Sequence, residues 1–371
     1  MKTRPADRET AAAGSAAGPV LVDARDSAAV LRGGGLRRLL PLALVLGMLL
    51  LVMLSLTAGS APVSWREAAA ALAGSWAGDA GRADSNSMVN VIVLDLRLPR
   101  VLLALLVGAA LALVGGLLQS TTRNDLADPF LFGLSSGAST GAVAVITLTG
   151  DWLGAWTLPA ATFAGASVAA GAVLLLVRRA GGHGPAQTVL AGLAVSFLFG
   201  ALTHGLVFAG DQRAAHAVVF WSLGGLGLAR WDNLWLAVLG LLVPAVFVWR
   251  SHRALDALLA GDDTAYSLGI APERLRTRAF LVAAVATACC VALAGVIGFV
   301  GLMVPHLARR LTGPLHAAFL PVAAVLGGAL LLASDLVART LLGSQELPVG
   351  IVTAGIGAVF VMALLRRSAH A

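Results

Sequence analysis

The sequence predicts an all-α, polytopic membrane protein of about ten transmembrane helices, some of them short or broken. Three observations predict it. The composition is 58% hydrophobic and only 12% charged over 371 residues, with a mean hydropathy of +0.87, outside the range of soluble domains. The apolar residues gather in windows near the length that a bilayer span requires, about 20 residues. Finally, the stretch Gly295-Val-Ile-Gly-Phe-Val-Gly-Leu-Met-Val-Pro-His-Leu-Ala-Arg-Arg310 is apolar, yet it carries Gly295, Gly298, Gly301 and Pro305, which an uninterrupted helix avoids. Irregular backbone at membrane depth leaves N–H and C=O groups that lipid cannot satisfy, so protein or a water-filled path must cover it. That points to a transporter or channel rather than a simple anchor.

Residues 1–36 are Ala/Gly-rich and polar with mixed charges, and are expected to form a disordered cytoplasmic tail; residues 37–371 form the transmembrane domain. The first apolar window, Leu39–Ala58, follows Arg37-Arg38. It exceeds a typical signal-peptide core and many spans follow it, so it reads as a retained first helix. Further windows are Arg100–Leu118, Leu131–Thr149, Thr157–Val177, Thr188–Ala209, Trp231–Trp249, Ala279–Ile297, Phe299–Leu311, Leu315–Ala338 and Pro348–Leu365. The eighth, Phe299–Leu311, is short and broken, and charge decides whether it counts. With ten spans and the N-terminus inside, inner segments hold 19 of the 26 Lys and Arg residues and outer segments 7. Setting aside Lys2, Arg4, Arg8 and Arg25 of the tail leaves 15 against 7. Arg309-Arg310 and Arg366-Arg367 both fall inside only if the eighth segment crosses, which favours ten spans with both termini cytoplasmic.

Two connections are long. The outer one, Gly59–Pro99, contains Trp65 and Trp76, suited to an interface; the inner one, Arg250–Arg278, is too polar to cross and long enough for short helices facing the cytoplasm. Ala112-Leu-Val-Gly115 and Ala292-Leu-Ala-Gly295 each read as the end of a helix before a Pro-containing break. An odd number of crossings separates them, which would make an inverted repeat of the kind transporters use.

Several function classes fall away. The net charge of +7 is not gathered into a nucleic-acid patch; the arginine pairs sit beside apolar runs as topology signals do. Lys2 is the only lysine, so a Walker A loop is absent, and any ATP that drives this protein is hydrolysed by another chain. Cys289 and Cys290 are adjacent in an apolar run, without CxxC spacing, and read as packing residues. His306 has no second ligand at metal spacing, so it reads as a packing or hydrogen-bonding residue near the break. No nucleophile–base or paired-carboxylate arrangement suggests catalysis.

The remaining polar motifs each carry two readings. In Arg97-Leu-Pro-Arg100, Pro99 is a natural helix-start residue and the arginines can snorkel; alternatively, two exposed arginines can pair with carboxylates of a docking partner. Asn124, Asp125 and Asp128 suit an inner turn closed by Pro129, or a structured turn beside a transport path. Asp335 is the one acid deep in a predicted helix, a candidate for proton coupling, but Arg339 stands four residues on and can neutralise it. A secondary transporter driven by protons or sodium would need more ionisable groups than this, and a passive channel would need no ATPase.

Taken together these motifs resemble the permease subunits of ABC importers for iron–siderophores, haem and vitamin B12. The likeness runs from about Leu39 to Arg367. It rests on Arg97-Leu-Pro-Arg100, the Asn124-to-Pro129 turn, Gly261-Asp262 through Leu268-Gly269, Gly298 through Arg309 and Glu346-Leu-Pro-Val-Gly350. The resemblance implies a ten-helix subunit of a bacterial cytoplasmic membrane that pairs with a second permease copy, identical or sister. It also implies two cytoplasmic ABC ATPases and an extracytoplasmic substrate-binding protein. No cofactor is bound directly; ATP and Mg belong to the ATPases. Arg97, Arg100 and Arg339 match positions that receive carboxylates of the binding protein. Gly261, Asp262, Asp263, Ala265, Leu268 and Gly269 match the segment that presses into the ATPase. The chain departs from the pattern at Asp125, where Pro usually follows the Asn, so a less rigid turn is expected. It also departs at Val359, where a Pro is common, so a straighter last helix is expected. Gly181–Gln187 matches no gate residues. The implied cargo is a ferric siderophore, with haem and cobalamin as alternatives.

Overall fold

A computed structural model describes residues 34–59, 61–76, 88–150, 154–179, 185–342 and 345–368. The chain divides into two compact units, residues 1–41 and 42–371. Of the first, Gly34–Pro41 are described and helical; most of the tail expected at 1–36, and the whole of Gly181–Gly184, lie outside the described residues.

Among the described residues there is no strand. The helices are α1 (Gly34–Thr57), α2 (Trp65–Trp76), α3 (Met88–Thr122), α4 (Leu134–Thr149), α5 (Thr157–Arg179), α6 (Pro185–Ala209), α7 (Gln212–Ser222), α8 (Leu234–Leu259), α9 (Asp262–Ser267), α10 (Pro272–Ala294), α11 (Val300–Thr312), α12 (His316–Thr340) and α13 (Val349–Ser368). Eight of them (α1, α3, α5, α6, α8, α10, α12 and α13) are long and apolar enough to cross a membrane. With the shorter α4 and α11, each of the ten expected windows has a helix. The expected 250–278 connection contains the end of α8, all of α9 and the start of α10.

Helix α3 is the axis of the second unit. From Val101 to Leu118 it is apolar on all sides, the pattern of a helix enclosed by protein, and every residue from Val107 to Thr122 is buried. Helices α8, α10, α11 and α12 pack around it. Close approach depends on glycine at two crossings. A Cβ on Gly108 would overlap the Gly327 carbonyl of α12, and one on Gly115 would overlap the Gly301 carbonyl of α11. Where hydrophobic force between helices is weak, such contacts let backbones pack tightly.

Pro99 does not start a helix, contrary to the sequence reading. The helix begins eleven residues earlier, at Met88, and runs through a π-helical stretch at Val91–Arg97 before continuing as α-helix from Leu98. Proline removes a backbone donor and crowds the preceding turn, and a wider turn just before it accommodates both effects. Trp65 is exposed on α2.

The break expected across Gly295–Arg310 is narrower than predicted. Only Gly295–Phe299 leaves the helix, with left-handed φ at Gly295 (+64°) and Phe299 (+68°). Gly301 and Pro305 lie inside α11. Pro305 has no N–H to give the Gly301 carbonyl, four residues back. The side chain of Gln119 supplies the missing donor, its Nε2 reaching Gly301 O at 3.1 Å and Leu302 O at 3.0 Å. Lipid exposure of that carbonyl is thereby avoided.

Helix α11 has 13 residues and rises about 20 Å, so it is not a full span by itself. It nevertheless returns the chain to the end of the bundle where α10 begins. Arg276 near the start of α10 meets Thr121, and Arg309 near the end of α11 meets Gln119 and Asp125. The reversal that the charge pattern required is present, completed by the non-helical Gly295–Phe299. The two tetrapeptides read as repeat copies are not counterparts: Ala112–Gly115 is interior to α3, whereas Gly295 follows the end of α10.

Candidate functional site

Polar side chains concentrate at the two ends of α3, with an apolar cavity between. At the first end, α1 finishes at Thr57 and exposes carbonyls that have no helical donor. Arg97 supplies donors to the carbonyls of Leu56 (2.7 Å), Thr57 (3.0 Å) and Ala61. Arg339 of α12 donates to Ser55 Oγ at 2.6 Å, Ser55 O at 3.2 Å and Ala58 O at 3.3 Å. Cations suit a helix C-terminus for the same electrostatic reason. Beside them Asp335, fully buried, lies 2.9 Å from Arg100 and 3.0 Å from Arg339. The Arg339 contact is an ion pair without hydrogen-bond alignment, since Asp335 Oδ2 and Arg339 Nε make no hydrogen bond. Arg100 also holds Glu346 at 2.8 Å, and Glu346 is half exposed.

The structure brings Arg97, Arg100 and Arg339 together, lining one pocket of about 270 Å³ with Glu346. It does not present two exposed arginines, as the sequence reading had it. Arg97 and Arg339 are each 7% exposed and their donors serve the fold. The outward-facing charge of the cluster is Glu346, held by Arg100.

The cavity, about 630 Å³, is lined by Asp128, Phe130, Ser222, Gly298, Phe299 and Gly350 among others. Asn124 closes the turn before it: its Oδ1 accepts from Leu126 N at 2.9 Å and its carbonyl from Ala127 N at 3.0 Å. That side-chain turn does the work of the proline absent at Asp125. Asp128 caps the short 3₁₀ turn opened by buried Pro129, accepting from Phe130 N at 3.0 Å. Burial pushes the Asp128 carboxyl up to about 6, so it titrates just below neutral pH. His306 packs edge-on to Phe360 at 5.7 Å, and its Nε2 is buried without a hydrogen bond. Among the described residues no group of three His, Cys, Asp or Glu side chains could hold a metal.

The second end of α3 is a junction. Arg309 of α11 binds Gln119 and, at 3.1 Å, Asp125. His316, the first residue of α12, bridges Ser120 Oγ (2.7 Å) and Asp256 of α8 (2.6 Å). Arg276 of α10 donates to Thr121 O at 3.0 Å. Arg123, left-handed at φ 48°, caps α3 and pairs with Asp262 of α9. Sequence reasoning missed Gln119, Ser120, Arg123, Asp256, Arg276 and His316. Their one visible signal is the polar run Gln119–Arg123 closing an apolar helix; the partners of that run lie 135 to 196 residues away in the chain, and Asp256 meets His316 across 60.

In α9 the expected coupling residues divide by face. Asp262 turns inward to Arg276 and Arg123, whose guanidiniums hold its carboxyl below the usual carboxylate range. Ala265 is fully buried. Asp263 and Gly269 are exposed, as are Tyr266 (55%) and Leu268 (64%). Gly261 and Gly269, at φ 124° and 76°, turn the chain into and out of this helix.

Residues 45–367 match the FecCD transport family. The chain belongs to that family. It is an ABC-importer permease and a multi-pass membrane protein, as the motifs indicated. Similar proteins include the cobalamin import system permease BtuC of Halobacterium salinarum, 44% identical over 74% of this chain and 73% of that one. The hemin transport system permease HmuU of Yersinia pestis is 36% identical, covering 87% and 96%. The iron(3+)-hydroxamate import permease FhuG of Bacillus subtilis is 34% identical, covering 75% and 84%. A solved structure described as an inward-facing metal-chelate type ABC transporter matches with a TM-score of 0.71 at 27% identity, covering 88% of this chain and 97% of that one. These relatives are permeases and not themselves enzymes, and the substrates they are named for differ.

Proposed function

We propose that this permease moves a ferric siderophore into a bacterial cell by alternating access. It works as one half of a permease dimer with two cytoplasmic ATPases and an extracytoplasmic binding protein. The junction end of α3, with α9, faces the cytoplasm, and the Arg100–Asp335–Glu346 end faces the binding protein. The exposed Tyr266 and Leu268 of α9 carry this reading: apolar side chains on a short polar connection outside the spans call for a partner surface. ATP closes the ATPases, α9 follows, and the cavity beside Asp128 opens alternately to each side. Glu346, steered by Arg100, and the arginine-lined pocket beneath it meet complementary charges of the binding protein. A second cargo, cobalamin, is favoured by the 44% identity with a permease named for it.

The test is uptake of a radiolabelled ferric trihydroxamate by cells expressing the complete system, with labelled cobalamin in parallel. Uptake is expected to persist when a protonophore collapses the gradient and to stop when the ATPase's Walker lysine is replaced. The reverse dependence would identify a gradient-driven transporter. Label entering as cobalamin alone would replace the ferric cargo. On the same reading Leu268→Asp is expected to lower ATPase co-purification by about tenfold, the equivalent of about 1.4 kcal/mol of contact; unchanged co-purification would remove α9 from the interface.

A further inference from the structure

Arg276 sits in the second turn of α10, 10% exposed, with all three guanidinium nitrogens engaged. Nη1 and Nη2 donate to the two carboxylate oxygens of Asp262 at 2.9 and 2.8 Å, and Nε donates to Thr121 O at 3.0 Å. Asp262 is the first residue of α9, and Thr121 lies in the last turn of α3, where carbonyls lack helical donors. One side chain thus locks three helices together. A bidentate arginine–carboxylate pair fixes orientation as well as distance. Helix α9 is six residues long and would otherwise rest on buried Ala265 and on the Arg123 pair, in which both side chains are 39% exposed and screened by solvent.

We propose that Arg276 is a positioning residue that makes α9 and the last turn of α3 move as one body, so that a displacement imposed on α9 reaches α3. The proposal rests on the reading of α9 as the ATPase contact. Beyond Thr121, α3 is enclosed from Thr122 back to Val107, and its other end holds Asp335 and Glu346 through Arg100. A push on α9 is therefore delivered to the cluster assigned to the binding protein. Linkage requires the converse, that docking of the binding protein be felt at the ATPases.

The experiment uses the complete transporter in lipid nanodiscs and its binding protein without substrate. The affinity of the binding protein is measured with and without ATP and vanadate. Coupling of this kind commonly amounts to about 5–150-fold, and in Arg276→Gln the ratio is expected to fall to about 1–2. ATPase co-purification and basal hydrolysis should stay at the parental level. Arg276→Lys should be intermediate, because an ammonium cannot pair in bidentate fashion with Asp262 while also reaching Thr121 O. It carries the same test if Arg276→Gln is not recovered folded. A nucleotide-dependent ratio equal to the parent's in these variants would overturn the proposal, as would loss of the ATPase from them. Retention of the ATPase by Leu268→Asp would instead overturn the reading of α9 on which the proposal rests.

Discussion

Replacing Gly115 by valine is expected to prevent recovery of stable permease. The Gly301 carbonyl occupies the space where any Cβ at position 115 would sit. This carbonyl has little freedom to move, because Pro305 denies it a helical donor and Gln119 fills that role. Valine therefore overpacks the α3–α11 crossing, at about 1–3 kcal/mol. Forcing the helices apart also strips a buried carbonyl of its partner, at about 1–3 kcal/mol more. The combined cost, about 2–6 kcal/mol, is a large part of the 5–15 kcal/mol that ordinarily separates folded from unfolded protein. The check is thermal stability and monodispersity in detergent, with Gly200→Ala as reference. No atom lies within 4 Å of a Cβ at Gly200, so that change should be neutral, or stabilising by about 0.5–1 kcal/mol through the helix preference for alanine. A melting temperature for Gly115→Val equal to the parent's would contradict the crossing described.

Asp335→Leu is expected to cost about 3–5 kcal/mol, the usual consequence of removing one partner from a buried ion pair. Arg100 would keep Glu346 and Arg339 its carbonyl acceptors, but two guanidiniums would face each other across a side chain with no charge. Removing Arg339 as well relieves that repulsion. The double variant Asp335→Leu with Arg339→Leu should therefore lose less than the sum of the single changes, and the double-mutant cycle measures the coupling. The same experiment tests the proton-relay reading of Asp335. A relay residue would tolerate Asp335→Asn with its stability intact while uptake lost its dependence on the gradient. A structural ion pair predicts reduced stability and uptake that falls in proportion to folded protein.

Much of the architecture was legible from residue order alone, because the bilayer imposes a local rule. Apolar length decides what can cross, and arginine placement decides which side a connection faces. Leu39–Ala58 and Leu315–Ala338 are recovered as α1 and α12 for that reason. The arginines at 309 and 310 also indicated correctly that the short eighth segment reverses the chain. Boundaries were less legible. Pro99 looked like a start because proline so often is one, but the wider helical turns before it let α3 begin at Met88. The extent of the break was overestimated because Gly301 and Pro305 are helix breakers only where their backbone groups lack another partner, and Gln119 is that partner.

The sites divide along the same line. The family resemblance singled out Arg97, Arg100, Arg339 and the Gly261–Gly269 segment. Which face each side chain presents was not. Arg97 and Arg339 turn inward because the end of α1 leaves carbonyls unsatisfied beside them, and Asp262 turns inward because Arg276 waits beside Thr121. By itself, then, the sequence determined the membrane class, the order of the apolar segments and the family, since each follows from composition, periodicity or a contiguous motif. Only the tertiary structure decided which charges are spent within the fold and which stay exposed. Those pairings join residues as much as 284 positions apart in the chain, and it is packing, rather than any local preference, that brings them within reach.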